Sequence, residues 1–143
     1  MSPPCSPQIP IWVIDTNVLV SAALTPGGVC DQLLLHAIAG HFVPAWDNSL
    51  LAEYRDVLSR PKFGLSRSAI RNLLAAFPQS GFCRGVTARA RLPDPDDIPF
   101  VAVALATADR TIVTGNPKHF PPSAIKTVTI LSPPAALDIL SRT

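Results

Sequence analysis

Charge is scarce in this chain. Only 15% of its residues are Asp, Glu, Lys or Arg, and a single residue, Glu53, is a glutamate. With 143 residues and 48% hydrophobic content, the chain has material for one core and is not a charge-extended, disordered protein. Cysteine is equally sparse. Cys5, Cys30 and Cys83 form an odd, widely spaced set without a C-x-x-C pair, which argues against a disulfide framework or zinc site and favours a reducing cytoplasm. No run of about 18 apolar residues is present, so neither a transmembrane helix nor a membrane partner is expected. Pro3, Pro4, Pro7 and Pro10 lack the basic-then-apolar pattern of a signal peptide. Residues 1–10 therefore read as a disordered lead-in to a single domain over 11–143.

A basic excess is missing too. Twelve basic against ten acidic residues give +2, too weak to mark a nucleic-acid binder by itself. Their distribution is more informative. Arg55, Arg60, Lys62, Arg67 and Arg71 follow one another in mid-chain, and Arg84, Arg89 and Arg91 come next. Such a series is either a solvated helix face plus a loop or a surface that contacts phosphates.

Short apolar runs alternate with helical patterns along the chain. Ile11-Trp12-Val13-Ile14 is a β-branched run expected to form a buried parallel strand ending at Asp15. A helix is expected from Val18 to Leu24, broken by Pro26-Gly27-Gly28, and another through Leu33, Leu34, Ala37 and Ile38, stopped at Gly40. His41 to Ala45 reads as a strand. Asn48 or Ser49 is the expected cap of a helix ending at Arg60-Pro61, and Ser66 that of a helix through Ile70, Leu73, Leu74 and Phe77. The stretch from Phe82 to Leu92 is ambiguous, with an irregular strand as its best reading. Asp96 or Asp97 opens a further helix, Thr111 to Thr114 and Lys126 to Leu131 are strands, and Pro134 to Leu140 is a last helix. This alternation predicts an α/β fold with a central, mostly parallel sheet. In such sheets ligands gather beyond the carboxyl ends of the strands.

Half of the acidic residues could converge there: Asp15, Glu53, Asp94, Asp96 and Asp97. Like-charged carboxylates are costly to bring together unless a cation neutralises them, and hard oxygen ligands suit Mg²⁺ or Mn²⁺. Each also has a plainer explanation. Asp15 can cap the helix after it, and Glu53 can favour the positive end of its helix. Asp94, Asp96 and Asp97 can shape a turn around Pro95, and Asn116-Pro117 reads as a turn. His36, His41 and His119 have no metal-ligand spacing and read as core or surface histidines.

Order raises these signals. Ile-Trp-Val-Ile-Asp15-Thr-Asn-Val-Leu-Val resembles the opening of PIN domains, and Leu-Leu-Ala-Glu53-Tyr-Arg-Asp-Val-Leu resembles their second motif. Leu-Pro-Asp94-Pro-Asp-Asp97-Ile-Pro-Phe-Val resembles the third, and Ala-Asp109-Arg-Thr-Ile-Val-Thr-Gly-Asn116-Pro the fourth. The likeness runs from about residue 11 to 140 and comes nearest to the toxins of VapC-type toxin–antitoxin systems. One departure stands out. Many PIN domains carry an aspartate where this chain has Asn116, which removes a charge but keeps a carbonyl oxygen.

The resemblance implies a PIN-like α/β/α sandwich and an endoribonuclease dependent on Mg²⁺ or Mn²⁺. Asp15, Glu53 and Asp97 would hold one metal site, with Asn116 completing it and a second metal left open. Thr16, Asn17 and Thr114 would steady these ligands from behind. Arg55, Arg60 and Lys62 would guide an RNA backbone, and the partners would be an antitoxin protein and a second copy of the chain. Two other readings stay open: a catalytically degenerate PIN fold that binds RNA or protein, and a phosphotransferase using Asp15 as nucleophile. The second is the poorer match, because haloacid-dehalogenase-type enzymes carry a second aspartate where this chain has Asn17.

Overall fold

The computed structural model describes residues 9–84, 92–122 and 125–142. Among these residues four parallel strands form one sheet: β1 (Ile11–Ile14), β2 (Val43–Ala45), β3 (Thr111–Val113) and β4 (Thr129–Leu131), in the order β2-β1-β3-β4. β1 is central and paired on both sides, so it needs apolar residues on both faces, and the buried Trp12, Val13 and Ile14 supply them. The chain first moves from β1 to one side and later returns to the other. The crevice between the ends of β1 and β3 is thus the topological switch point of the sheet.

Among the described residues six helices accompany the sheet: α1 (Thr16–Leu24), α2 (Val29–Ile38), α3 (Asn48–Leu58), α4 (Arg67–Leu74), α5 (Ile98–Leu105) and α6 (Pro133–Ser141). α1 packs on α2, α3 and α4, α2 on α6, and α5 lies against β1 and β3 and meets α3. This arrangement matches the expected α/β class, with an all-parallel sheet among the described residues. No single described helix is long and apolar enough to cross a membrane.

Several boundaries differ from expectation for local reasons. The cap of α3 is Asp47, whose carboxylate accepts from Leu50 N at 2.8 Å, rather than Asn48 or Ser49. α1 starts at Thr16, two residues early. β2 starts only at Val43, because Gly40 takes φ +83 and His41 N closes the end of α2 on His36 O at 2.9 Å. β4 shortens to Thr129–Leu131, and α6 begins at Pro133 behind the Ser132 cap. α4 is capped by Ser66 as expected but ends at Leu74, before Phe77. Of the ambiguous stretch, residues 85–91 lie outside the described residues, as do residues 1–8 of the expected lead-in. Phe82 makes one parallel bridge to Trp46. Gly81 packs so closely that a Cβ there would lie 2.1 Å from Pro44 O.

One core contact sits at the very end of β1. Tyr54 is fully buried, its ring against Phe77 and Phe100, and its hydroxyl donates to the carbonyl of Ile14. α3 is thereby pinned to the last residue of β1, immediately before Asp15.

Candidate metal centre

Asp15 and Thr114 leave the ends of neighbouring strands, and Asp15 N continues the ladder to Val113 O at 2.9 Å. Asp15 occupies the cap position of α1, yet its side chain caps nothing. Its Oδ2 accepts instead from Thr114 Oγ1 at 2.7 Å and Asn17 Nδ2 at 3.2 Å. Asn17 Oδ1 accepts from Gly115 N at 3.4 Å, and Thr114 Oγ1 from Asn116 N at 3.0 Å. Asp15, Asn17, Thr114 and Asn116 thus form one connected polar group across the switch point. Thr16, also expected behind the ligands, is buried with an Oγ1 that has no hydrogen-bond partner.

Asp97 reaches the same place from a different element. Asp94 caps a 3-10 turn over Pro95–Asp97 by accepting from Asp96 N at 2.9 Å, and α5 follows directly. Asp94 therefore does the turn-forming work, and neither Asp96 nor Asp97 caps a helix with its side chain. Asp97 is left only 8% exposed, with Oδ2 buried and without a hydrogen bond. His119 Nδ1 lies 3.3 Å from that oxygen. Asn116 Nδ2 lies 3.0 Å from the other ring nitrogen, Nε2.

Electrostatics reflect this crowding. Burial, and then the nearby Asp15 charge, push the Asp97 carboxyl up to about 6. Burial also raises Asp15, offset in part by the Thr114 hydrogen bond. Glu53 behaves differently. It is raised by burial and then by Asp56 and Asp96, so its charged surroundings are Asp56, Asp94, Asp96 and Arg60 rather than Asp15.

The structure therefore brings together Asp15, Asp97 and Asn116 and leaves Glu53 beside them on the Asp94–Asp96 side. Among the described residues, no three His, Cys, Asp or Glu side chains close into a complete metal cage. What is present still fits a hard cation. Two buried carboxylates face one another's charge, one carboxylate oxygen accepts no hydrogen bond and meets only the His119 ring, and Asn116 adds an uncharged amide carbonyl. A cavity of about 390 Å³ opens beside Asn17, Gly115 and Asn116, large enough for waters and part of a substrate.

Sequence reasoning misses His119, which it makes a core or surface residue. The signal is local: Pro117 follows Asn116 and starts a 3-10 turn, which stacks residues three apart. The basic residues are also redistributed. Arg60 pairs with Asp56 at 3.3 Å, and Lys62 sits over the Phe63 ring. Arg55 instead joins Arg67 and Arg71 around a groove of about 510 Å³ floored by Ile70 and Leu74.

Searches of curated proteins and of solved structures return no match. A family model described as PIN domain matches residues 12–118, a span that contains Asp15, Glu53, Asp97 and Asn116.

Proposed function

The chain belongs to the PIN-domain family, whose members are in general metal-dependent nucleases, and from that premise we propose that it is an endoribonuclease dependent on Mg²⁺ or Mn²⁺. The observation that carries this reading is the buried Asp15–Asp97 pair, with an Asp97 Oδ2 that accepts no hydrogen bond. Asp15 and Asp97 hold the ion, and Asn116 adds a carbonyl oxygen or orients a water. A divalent ion bound there supplies a water of lowered pKa and offsets charge developing on the phosphate. Thr114 and Asn17 hold the Asp15 carboxylate in one orientation, with Thr16 beside it. Glu53 would support the site from the Asp94–Asp96 side. The substrate is single-stranded or loop RNA, steered by the basic side chains.

In the same reading, residues 11–143 act as one domain, in the cytoplasm, as the toxin of a VapC-type pair. Support for a protein partner, an antitoxin or a second copy, is a groove of about 330 Å³ whose lining includes the exposed Leu35 and Ile38. The charged surroundings of Glu53, which are Asp56, Asp94, Asp96 and Arg60, favour a second reading, a degenerate PIN fold that only binds RNA or protein. The test is cleavage of a mixed RNA pool with Mn²⁺, with EDTA, and with purified Asp15→Asn and Asp97→Asn proteins. Cleavage that needs Mn²⁺ and is lost in both variants supports the nuclease. Undiminished cleavage by both variants removes it, and no cleavage by the wild type leaves the binding module.

A further inference from the structure

The 3-10 turn at Pro117–His119 returns the His119 ring over Asn116 and against Asp97. One imidazole thus meets two proposed ligands through its two nitrogens, Nε2 at 3.0 Å from Asn116 Nδ2 and Nδ1 at 3.3 Å from Asp97 Oδ2. The donor inventory decides how the hydrogens lie. An amide nitrogen only donates, so Nε2 accepts with its lone pair and the ring hydrogen is left on Nδ1. This is the reverse of the tautomer that a histidine free in water favours.

An amide needs such a partner where a carboxylate would not. Both ends of a carboxylate can face a cation, whereas an amide flipped the wrong way offers an NH₂ group that repels it. Among the described residues Asn116 Oδ1 accepts no hydrogen bond, so holding Nδ2 on His119 leaves that oxygen available. We propose that His119 is a positioning residue whose Nδ1–H tautomer fixes the Asn116 amide with its carbonyl free for the cation. The inference rests on the metal-site reading above, and it gives Asn116 a reason to work in a place where many PIN domains have an acid.

The direct test is a long-range ¹H–¹⁵N correlation spectrum of the full chain at pH 8 without metal. His119 is expected to show a protonated Nδ1 and an unprotonated Nε2. An Nε2–H tautomer, or an imidazolium with both nitrogens protonated, overturns the proposal, because either would turn the Asn116 oxygen toward the ring. Mn²⁺ titration by calorimetry supplies the second readout. His119→Ala should bind Mn²⁺ about 10-fold more weakly, at the lower end for groups behind metal ligands. A folded His119→Ala protein with unchanged Mn²⁺ affinity also overturns it. If the variant does not fold, the wild-type spectrum still decides. A wild-type chain that shows the expected tautomer but binds no Mn²⁺ would instead defeat the metal-site reading and leave the His119–Asn116 geometry standing.

Discussion

Thr114 donates its hydroxyl to Asp15 Oδ2 at 2.7 Å while accepting from Asn116 N at 3.0 Å, so one buried oxygen joins the ends of β1 and β3. Thr114→Val keeps the shape and removes both bonds. The variant should lose about 1–3 kcal/mol of stability, because a buried carboxylate and a backbone N–H each lose a partner. Its Mn²⁺-dependent cleavage should fall by about 10- to 100-fold. Urea unfolding and initial-rate assays measure the two effects, and a variant unchanged in both would show that the oxygen orients nothing.

The raised carboxyls predict how the metal-free protein responds to pH. Asp97 ionises at about 6 in the fold against an ordinary value of 3.8, through burial first and the Asp15 charge second. A folded value above the unfolded one means that its stabilising contribution is complete below about 3.8 and lost as pH rises through about 6. Asp97→Asn escapes that loss. In EDTA at pH 7.5 it should be more stable than wild type by about 1–2 kcal/mol, solvent screening keeping the figure below the full linkage value. At pH 4 the advantage should shrink, and Mn²⁺ at pH 7.5 should reverse the order. Denaturation curves at the two pH values decide, and a less stable variant in EDTA at pH 7.5 would contradict the argument.

Glu53 and Asp15 should differ in kind. Asp15→Asn should reduce metal-dependent cleavage to background. Glu53→Gln, acting from the Asp94–Asp96 side, should lower it by only about 10- to 100-fold, as for groups that support a metal from outside its ligands. Rates for the two purified proteins give the answer. Equal losses would mean that Glu53 moves into direct coordination when the ion binds.

The arginine groove makes a salt-dependence prediction. Arg55, Arg67 and Arg71 have no ion-pair partner among the described residues and share one groove. Replacing all three with Ala should weaken binding of labelled single-stranded RNA and reduce the slope of log affinity against log salt by about 0.7 for each phosphate no longer neutralised. Fluorescence anisotropy over a salt series, in EDTA to prevent cleavage, reads this directly. An unchanged slope would place the RNA path elsewhere.

Elements with a strong local signature are legible in the sequence. β1 is legible to the residue, and the Ser66 cap and the Gly40 stop fall where expected, because each depends on chemistry within a few residues. Caps with equivalent neighbours are harder. Asp47, Asn48 and Ser49 are all good caps, and only the extended backbone of Asp47 at the exit of β2 selects one. In the candidate site, Asp15, Asp97 and Asn116 are readable from their places at strand ends and helix starts. Two facts are not. Which acid lies opposite Asp15 depends on how the turn at Pro95 aims three nearby carboxylates, and the use of His119 depends on a 3-10 turn only three residues long.

The sheet order also affects the chain while it is being made. Asp15 follows β1, which emerges before β3 during synthesis, whereas its partner Thr114 comes 99 residues later. At about 5–20 residues per second, translation takes roughly 5–20 s to cover that interval. Throughout it the growing polypeptide holds one acidic half of the pair without the strand that completes it. A growing chain with this topology cannot assemble the Asp15–Thr114 pair until β3 has emerged.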